Sequence, residues 1–85
     1  MENDLTKALN IGKETARKLN EVGIDSYETL VHLGTEQVFK KLKSKDPNTC
    51  INLLYSVEGA IEGIKWNAIS KERKLELTEF FRNNS

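Results

Sequence analysis

The sequence predicts a small, compact all-α domain of five or six short helices. Apolar residues recur at helical spacing through most of the chain, and no useful length shows the strict alternation of a half-buried strand. The only proline is Pro47, and glycines are closely followed by aspartate, serine or threonine, which is typical of one helix ending and the next beginning. With 85 residues and 9.7 kDa, a single domain over residues 1–85 is expected.

The first two predicted helices flank the short hairpin Asn10-Ile11-Gly12. One covers about Asn3 to Leu9, capped by Asn3 or Asp4, and the other runs from about Lys13 to Val22. Gly23 suits the left-handed conformation that follows a helix end, so it is expected to stop the second helix. The side chains that this second helix turns inward are predicted to be Ala16 and Leu19.

Two further start signals predict the third and fourth helices. Asp25 and Ser26 begin the third, which covers about Ser26 to Leu33, and Glu28 completes a capping box with Asp25. Gly34 and Thr35 then supply a glycine stop and a hydroxyl cap for a fourth helix through about Lys43. The inward side chains of the two helices are predicted to be Tyr27, Leu30, Val31, Val38, Phe39 and Leu42.

The fifth predicted helix, from about Thr49 to Glu62, has the strongest apolar pattern and is expected to be the central core helix. Its stripe consists of Cys50, Leu53, Leu54, Val57, Ala60, Ile61 and Ile64. Gly63 is expected to end it, and Ser70 to cap a sixth helix that runs to about Arg82. The side chains of this last helix that close over the core are predicted to be Leu77, Phe80 and Phe81.

Several residues on and after the fifth helix suggest close contacts. Gly59 would cost about 1 kcal/mol relative to alanine, which suggests that another backbone passes nearby; a contact between two copies is the alternative. Glu58 and Glu62 form a like-charge pair on the polar side, which Lys65 or a partner protein could neutralise. Trp66 is interpreted as a core anchor, whereas exposure would make it a recognition hot spot. The predicted protein contacts are Asn52, Tyr55, Glu58, Gly59, Trp66 and Asn67.

The charge balance gives no overall field that would hold a polyanion. There are 13 basic and 13 acidic side chains, so any nucleic-acid binding must come from a local patch. The densest patch is Lys40, Lys41, Lys43 and Lys45, and a looser one runs through Lys65, Lys71, Arg73 and Lys74. The simpler interpretation of both is a solvated helix face.

The sequence lacks the patterns that enzymes require. His32 is the only histidine and has no evident nucleophile beside it, and Cys50 is expected to be a small buried apolar residue. No metal-ligand spacing or phosphate loop is present, so we expect no catalytic residue, no cofactor and no metal. The single cysteine, the start MENDLTKALN and the short apolar runs predict a cytoplasmic protein with no membrane partner.

Residues 5–24, LTKALNIGKETARKLNEVGI, resemble the helix-hairpin-helix motif, in which a Gly-hydrophobic-Gly turn precedes a helix that often begins Lys-x-Thr-Ala. In this sequence Asn10 replaces the first glycine, and asparagine tolerates a positive φ angle. Such a turn points backbone amides at a phosphate. The resemblance implies a possible phosphate or DNA contact through Ile11, Gly12, Lys13, Thr15 and Lys18.

A longer resemblance covers nearly the whole chain. LNEVGIDSYETLVHLG, VFKKLK and NLLYSVEGAIEGIKWNAIS resemble the C-terminal domain of the TfoX/Sxy family of bacterial competence regulators, most specifically between Asn52 and Asn67. The α/β N-terminal domain usual in that family is not found in this sequence, so a free-standing C-terminal module is expected. The family implies an all-α helix-hairpin-helix or SAM-like arrangement and a regulatory role in the bacterial cytoplasm.

Two functions follow as hypotheses. The first is a non-enzymatic bacterial regulatory or adaptor module that acts through protein-protein contacts, with a protein partner or a homodimer. The second is a weak, sequence-independent DNA-binding module that uses the hairpin at residues 10–18.

Overall fold

A computed structural model describes residues 4–84, and within that range the chain forms five α-helices, two 3-10 turns and no strand. The all-α prediction is therefore confirmed. The α-helices are α1 (Lys13–Glu21), α2 (Tyr27–Leu33), α3 (Thr35–Lys45), α4 (Ile51–Glu62) and α5 (Lys71–Asn83). One 3-10 turn, Asp4–Lys7, precedes α1, and the other, Trp66–Ala68, joins α4 to α5.

The start of the chain is more tightly wound than the sequence indicates. The first predicted helix, Asn3 to Leu9, is instead the 3-10 turn Asp4–Lys7, followed by a bend. Its predicted caps, Asn3 and the side chain of Asp4, lie outside what the structure describes. Four residues make a single turn, so the hairpin at Asn10 connects a short turn to α1 rather than two α-helices.

Glycine and serine set most helix ends as predicted. Gly23 and Gly63 have φ angles of +87° and +74°, which an L side chain adopts only with strain. Ser70 caps α5, because its hydroxyl accepts a hydrogen bond from the Arg73 amide at 3.2 Å. The capping box at Asp25 was the wrong prediction, since the Ser26 hydroxyl caps α2 through the Thr29 amide at 3.1 Å.

The core lies on both sides of α4 in two apolar clusters. The larger one joins the first 3-10 turn, the hairpin and α1 to α4, and consists of Leu5, Ile11, Ala16, Leu19, Ile24, Leu30, Val38, Leu42, Val57 and Ala60. In the smaller one the fully buried Phe39 packs against Leu54 and Leu77. The rings of Phe80 and Phe81 meet Phe39 edge-on, with centroids 5.8 and 5.7 Å away. The closure of α5 over the core is thus confirmed.

Three residues predicted to be inward are exposed. Val31 has 43% of its surface exposed, because on the seven-residue α2 only one face meets the rest of the domain. Cys50 is an exposed free cysteine at the N-cap of α4, one residue before the helical stripe begins. Trp66, which was favoured as a core anchor, is 49% exposed because the 3-10 turn holds it at the surface.

Candidate functional site

A corner of the molecule brings the hairpin against the turn after α4. Asn10 has a φ of +70°, and its side-chain amide bridges two backbone groups of that turn. Its Nδ2 donates to the Ile64 carbonyl at 3.0 Å, and its Oδ1 accepts from the Trp66 amide at 3.1 Å. The asparagine that replaces the first glycine of the hairpin motif therefore has a structural role that glycine cannot supply.

Gly59 makes this corner possible. A Cβ atom at this position would meet the Asn10 amide nitrogen, and it would lie 2.8 Å from the Ile64 carbonyl oxygen and 3.2 Å from the Trp66 amide nitrogen. Two of these atoms are backbone, so side-chain rotation alone would not make room for it. The predicted close passage of another backbone is confirmed, and that backbone belongs to the same chain.

The corner presents Trp66 at the edge of a groove of about 280 Å³ that Asn52 and Ser56 also line. The Lys74 ammonium lies 5.9 Å from the centroid of the indole ring, within the range of a cation–π contact. Asn67, the next residue, is exposed as well. Together Asn52, Ser56, Trp66, Asn67 and Lys74 are named here the Trp66 surface.

The residues predicted as protein contacts divide into two groups. Asn52, Trp66 and Asn67 belong to the Trp66 surface. The Tyr55 hydroxyl is 2.9 Å from that of Thr78, which ties α4 to α5. Glu58 and Gly59 are buried, so these two contribute to the fold rather than to an exposed surface.

Glu58 is the buried centre of a polar junction between α3, α4 and α5. Its Oε1 accepts from the Thr35 hydroxyl at 2.7 Å and from Arg73 Nη2 at 2.9 Å. Arg73 also reaches Glu36 at 3.1 Å and Glu76 at 3.3 Å. Thr35 was predicted to cap α3; instead Gly34 is the N-cap, and the Thr35 hydroxyl is committed to Glu58. The polar junction, as it is named here, consists of Thr35, Glu36, Glu58, Arg73 and Glu76.

The junction shifts the acidity of two carboxyl groups on α4. Burial raises the pKa of Glu58, but hydrogen bonds from Glu62, Arg73 and Thr35 and the charge of Arg73 outweigh it, so the net pKa is below its ordinary value. The pKa of Glu62 is raised, first by its hydrogen bond with Glu58 and then by partial burial and the Glu58 charge. The basic side chain that pairs with Glu58 is Arg73, at 2.9 Å, rather than Lys65, which the sequence offered as an example.

The residues predicted to contact DNA do not form one surface. Ile11 is buried, with 4% exposed, while Gly12 is the N-cap of α1 without a side-chain cap. Lys13 is exposed beside it. Because an α-helix turns about 100° per residue, Lys18 lies about 140° around α1 from Lys13. Thr15 and Lys18, both half-buried, therefore lie on a different side of α1 from Lys13 and the hairpin.

Sequence reasoning missed the two residues that organise the site, Asn10 as a bridge and Arg73 as the partner of Glu58. Arg73 is 15 positions from Glu58 and Asn10 is 56 positions from Trp66, so neither pair has a local pattern. One signal was available at Gly59, whose helix-interior position indicates that something packs closely against it.

The fold and the site define a small helical module with a bridged corner and an exposed tryptophan. The chain belongs to the TfoX C-terminal domain family, whose model matches residues 1–81, as the resemblance predicted. It is 32% identical to an uncharacterised protein from Listeria monocytogenes in a triclinic crystal form, with a TM-score of 0.92 over 93% of this chain and 90% of that one. A tetragonal crystal structure of a Listeria monocytogenes protein of unknown function is 31% identical, with a TM-score of 0.93 over 95% and 100% of the chains.

No curated protein matches this chain. Between residues 4 and 84, none of the helices has the length and apolar character needed to cross a membrane.

Proposed function

We propose that this protein is a non-enzymatic regulatory or adaptor module that acts through protein-protein contacts made by the Trp66 surface. The observation that carries the proposal is the position of Trp66, 49% exposed yet fixed through its backbone by Asn10. A large aromatic ring kept at the surface by a specific hydrogen bond is a preorganised contact, which needs little further ordering when a partner binds.

The chemistry around the ring fits a protein partner. Tryptophan is enriched among the residues that contribute most to protein interfaces, where it fills a pocket on the other protein. Asn52 lines the same groove as the ring, the Lys74 ammonium lies over it, and the next residue, Asn67, is exposed; amides and a positive charge are typical of an interface rim. The chain belongs to the TfoX C-terminal domain family, and the resemblance to competence regulators supports the same class of function. The partner is another protein or a second copy of this chain.

The test compares Trp66→Ala with Val31→Ala. Val31 is a second exposed apolar side chain, 43% exposed, and it lines a different groove on α2. Affinity capture from a nuclease-treated lysate of the source organism, with sedimentation analysis of the purified protein, reports a partner and a homodimer respectively. We expect Trp66→Ala to lose the partner or the dimer and Val31→Ala to keep it.

Two outcomes would contradict the proposal. One is a monomer that captures nothing, and the other is unchanged capture by the Trp66→Ala protein. Circular dichroism of both variants separates a lost contact from a lost fold.

The DNA-binding alternative at the hairpin stays a prediction with less support than the sequence gave it. Gly12 leaves the first amides of α1 without a side-chain cap, which favours an anion there. Glu14, however, places a carboxylate in the same turn, and Arg17 beside it is engaged by Glu14 and Glu21.

A further inference from the structure

A second surface lies between α1 and α3, on residues that the Trp66 surface does not use. It is an open groove of about 530 Å³ lined by Val22, Gln37, Lys40, Lys41, Ser44 and Lys45. Val22 and Lys45 also line a narrower extension, which Lys18 of α1 joins. This surface is named here the α1–α3 groove. Lys18, which the hairpin resemblance grouped with Lys13, lies on it.

The main part of the groove is lined by lysines and by no carboxylate. Lys41 and Lys45 are exposed, one helical turn apart, and neither makes an ion pair with a carboxylate of residues 4–84. Like charges at this spacing repel each other. Two carboxylates line the extension: Glu21 is bound by Arg17 at 2.6 Å, and Asp46 accepts a hydrogen bond from the Asn48 amide at 3.0 Å. An anion in the groove would therefore relieve a repulsion that the described side chains do not relieve.

Lysines at the end of a helix also complement its dipole, which explains Lys43 and Lys45 in the last turn of α3. Lys18 occupies the same position in the last turn of α1, so the dipole explains it too. That explanation does not cover Lys41, which lies before the last turn of α3 and lines the groove. Two of the α3 lysines contact aromatic rings: the ammonium groups of Lys40, which also lines the groove, and of Lys43 lie 5.9 and 5.3 Å from the rings of Phe80 and Phe81. The lysines that line the groove or its extension and make no such ring contact are Lys18, Lys41 and Lys45.

The lining indicates which kind of anion fits. It contains no aromatic side chain, and Val22, its main apolar residue, is half-buried, so an acidic protein would find no pocket for an anchor. The same lack of aromatic rings argues against single strands, which bind by stacking their bases. Gln37 and Ser44 add neutral hydrogen-bond donors of the kind that contact phosphate oxygens.

We propose that the α1–α3 groove binds the phosphate backbone of duplex DNA through Lys18, Lys41 and Lys45, weakly and without reading sequence. The zero net charge of the chain restricts such binding to a local patch, and this groove joins lysines of two helices in one patch. The site is distinct from the hairpin, because Lys13 lies on another side of α1. It is also independent of the protein-contact function proposed above.

The test measures binding of the full chain to a fluorescent DNA duplex at salt concentrations between about 50 and 200 mM. The double variant Lys41→Gln/Lys45→Gln is compared with Lys7→Gln/Lys13→Gln, which removes the same charge near the hairpin. All four lysines are exposed, so both variants are expected to fold, and circular dichroism checks this. The groove variant should bind at least about tenfold more weakly at low salt, with the slope of log K against log salt reduced by about 1.8.

The control variant should keep the native affinity and slope. Equal losses in the two variants would overturn the proposal, because they would show attraction by overall charge alone. It would equally be overturned by no binding at low salt, by a loss confined to the Lys7/Lys13 variant, or by displacement of the DNA with an acidic peptide whose own binding depends little on salt.

Discussion

Glu58 and Gly59 are neighbours on α4, yet they hold the helix in place by opposite means. Glu58 gathers the polar junction, where its carboxylate receives hydrogen bonds from α3 and α5. Gly59 holds the hairpin corner, where the absence of a side chain lets Asn10 and the turn at Ile64 come close. The junction depends on groups that are present, and the corner depends on space that is kept empty.

The comparison teaches where each region is vulnerable. Removing one partner of the junction leaves a buried charge without compensation, which is destabilising even where the intact pair contributes little. Adding one carbon to the corner forces backbone to move, since two of the three nearest atoms belong to the main chain. Deletions should therefore disturb the junction most, and insertions of volume should disturb the corner most.

The largest effect is expected from Arg73→Ala, which leaves Glu58 buried and unpaired. Because the Arg73 side chain is 26% exposed, we expect a loss of about 2 to 3 kcal/mol in the free energy of unfolding, slightly below the range for fully buried pairs. Urea denaturation followed by circular dichroism measures it. The matched control is Arg17→Ala, whose partners Glu14 and Glu21 are exposed, so its loss should be much smaller than that of Arg73→Ala. Equal losses would show that burial of Glu58 adds nothing.

The next effect is expected from Gly59→Ala, at about 2 kcal/mol. Overpacking typically costs about 1 to 3 kcal/mol, and we expect a cost near the upper end because backbone atoms must move. The better helix propensity of alanine offsets about 1 kcal/mol of that cost. Intrinsic tryptophan fluorescence should shift together with stability, because the displaced turn carries Trp66. A neutral or stabilising Gly59→Ala would mean that the corner has room that the structure does not show.

A double-mutant cycle sharpens this prediction. Asn10→Gly keeps the positive φ without strain and removes the amide that a new Cβ at Gly59 would meet. Its own loss should be about 1 to 2 kcal/mol for two hydrogen bonds. The double variant should be more stable than the sum of the single losses predicts, but less stable than Asn10→Gly alone, since the Ile64 carbonyl still obstructs the Cβ. Strictly additive losses in stability would contradict the contact between Asn10 and the Cβ atom introduced at position 59.

The smallest effect concerns pH and Glu62. Its raised pKa means that its contribution to stability is present below the ordinary value of 4.5 and is lost as the pH rises through the folded-state pKa. Glu58 behaves oppositely: its net pKa is lowered, so its contribution is present above 4.5 and is lost as the pH falls below it. Glu62→Gln should therefore stabilise the protein at neutral pH by about 0.2 to 0.5 kcal/mol.

Denaturation on both sides of pH 4.5 checks the sign. The difference between Glu62→Gln and the native protein should grow as the pH rises, while Glu36 and Glu76, which share Arg73, remain unchanged in both proteins. A difference that grows toward acid would contradict the raised pKa of Glu62.

Most helix positions were predictable because their signals are local. The glycine at position 63 marks a left-handed end, Ser70 caps the helix that follows it, and the apolar spacing from Leu53 to Ile61 fixes the buried face of α4. The site was predicted only in part. Asn52, Trp66 and Asn67 lie on the Trp66 surface, but the sequence did not indicate that Trp66 would be exposed.

The sequence by itself determined the all-α class, most helix ends and the family, since each of these depends on residues close together in the chain. The tertiary structure alone decided that Asn10 reaches Trp66, that Arg73 rather than Lys65 neutralises Glu58, and that Lys18 faces α3 rather than the hairpin. These pairings join distant segments. Their geometry depends on how the helices pack, which local spacing does not specify.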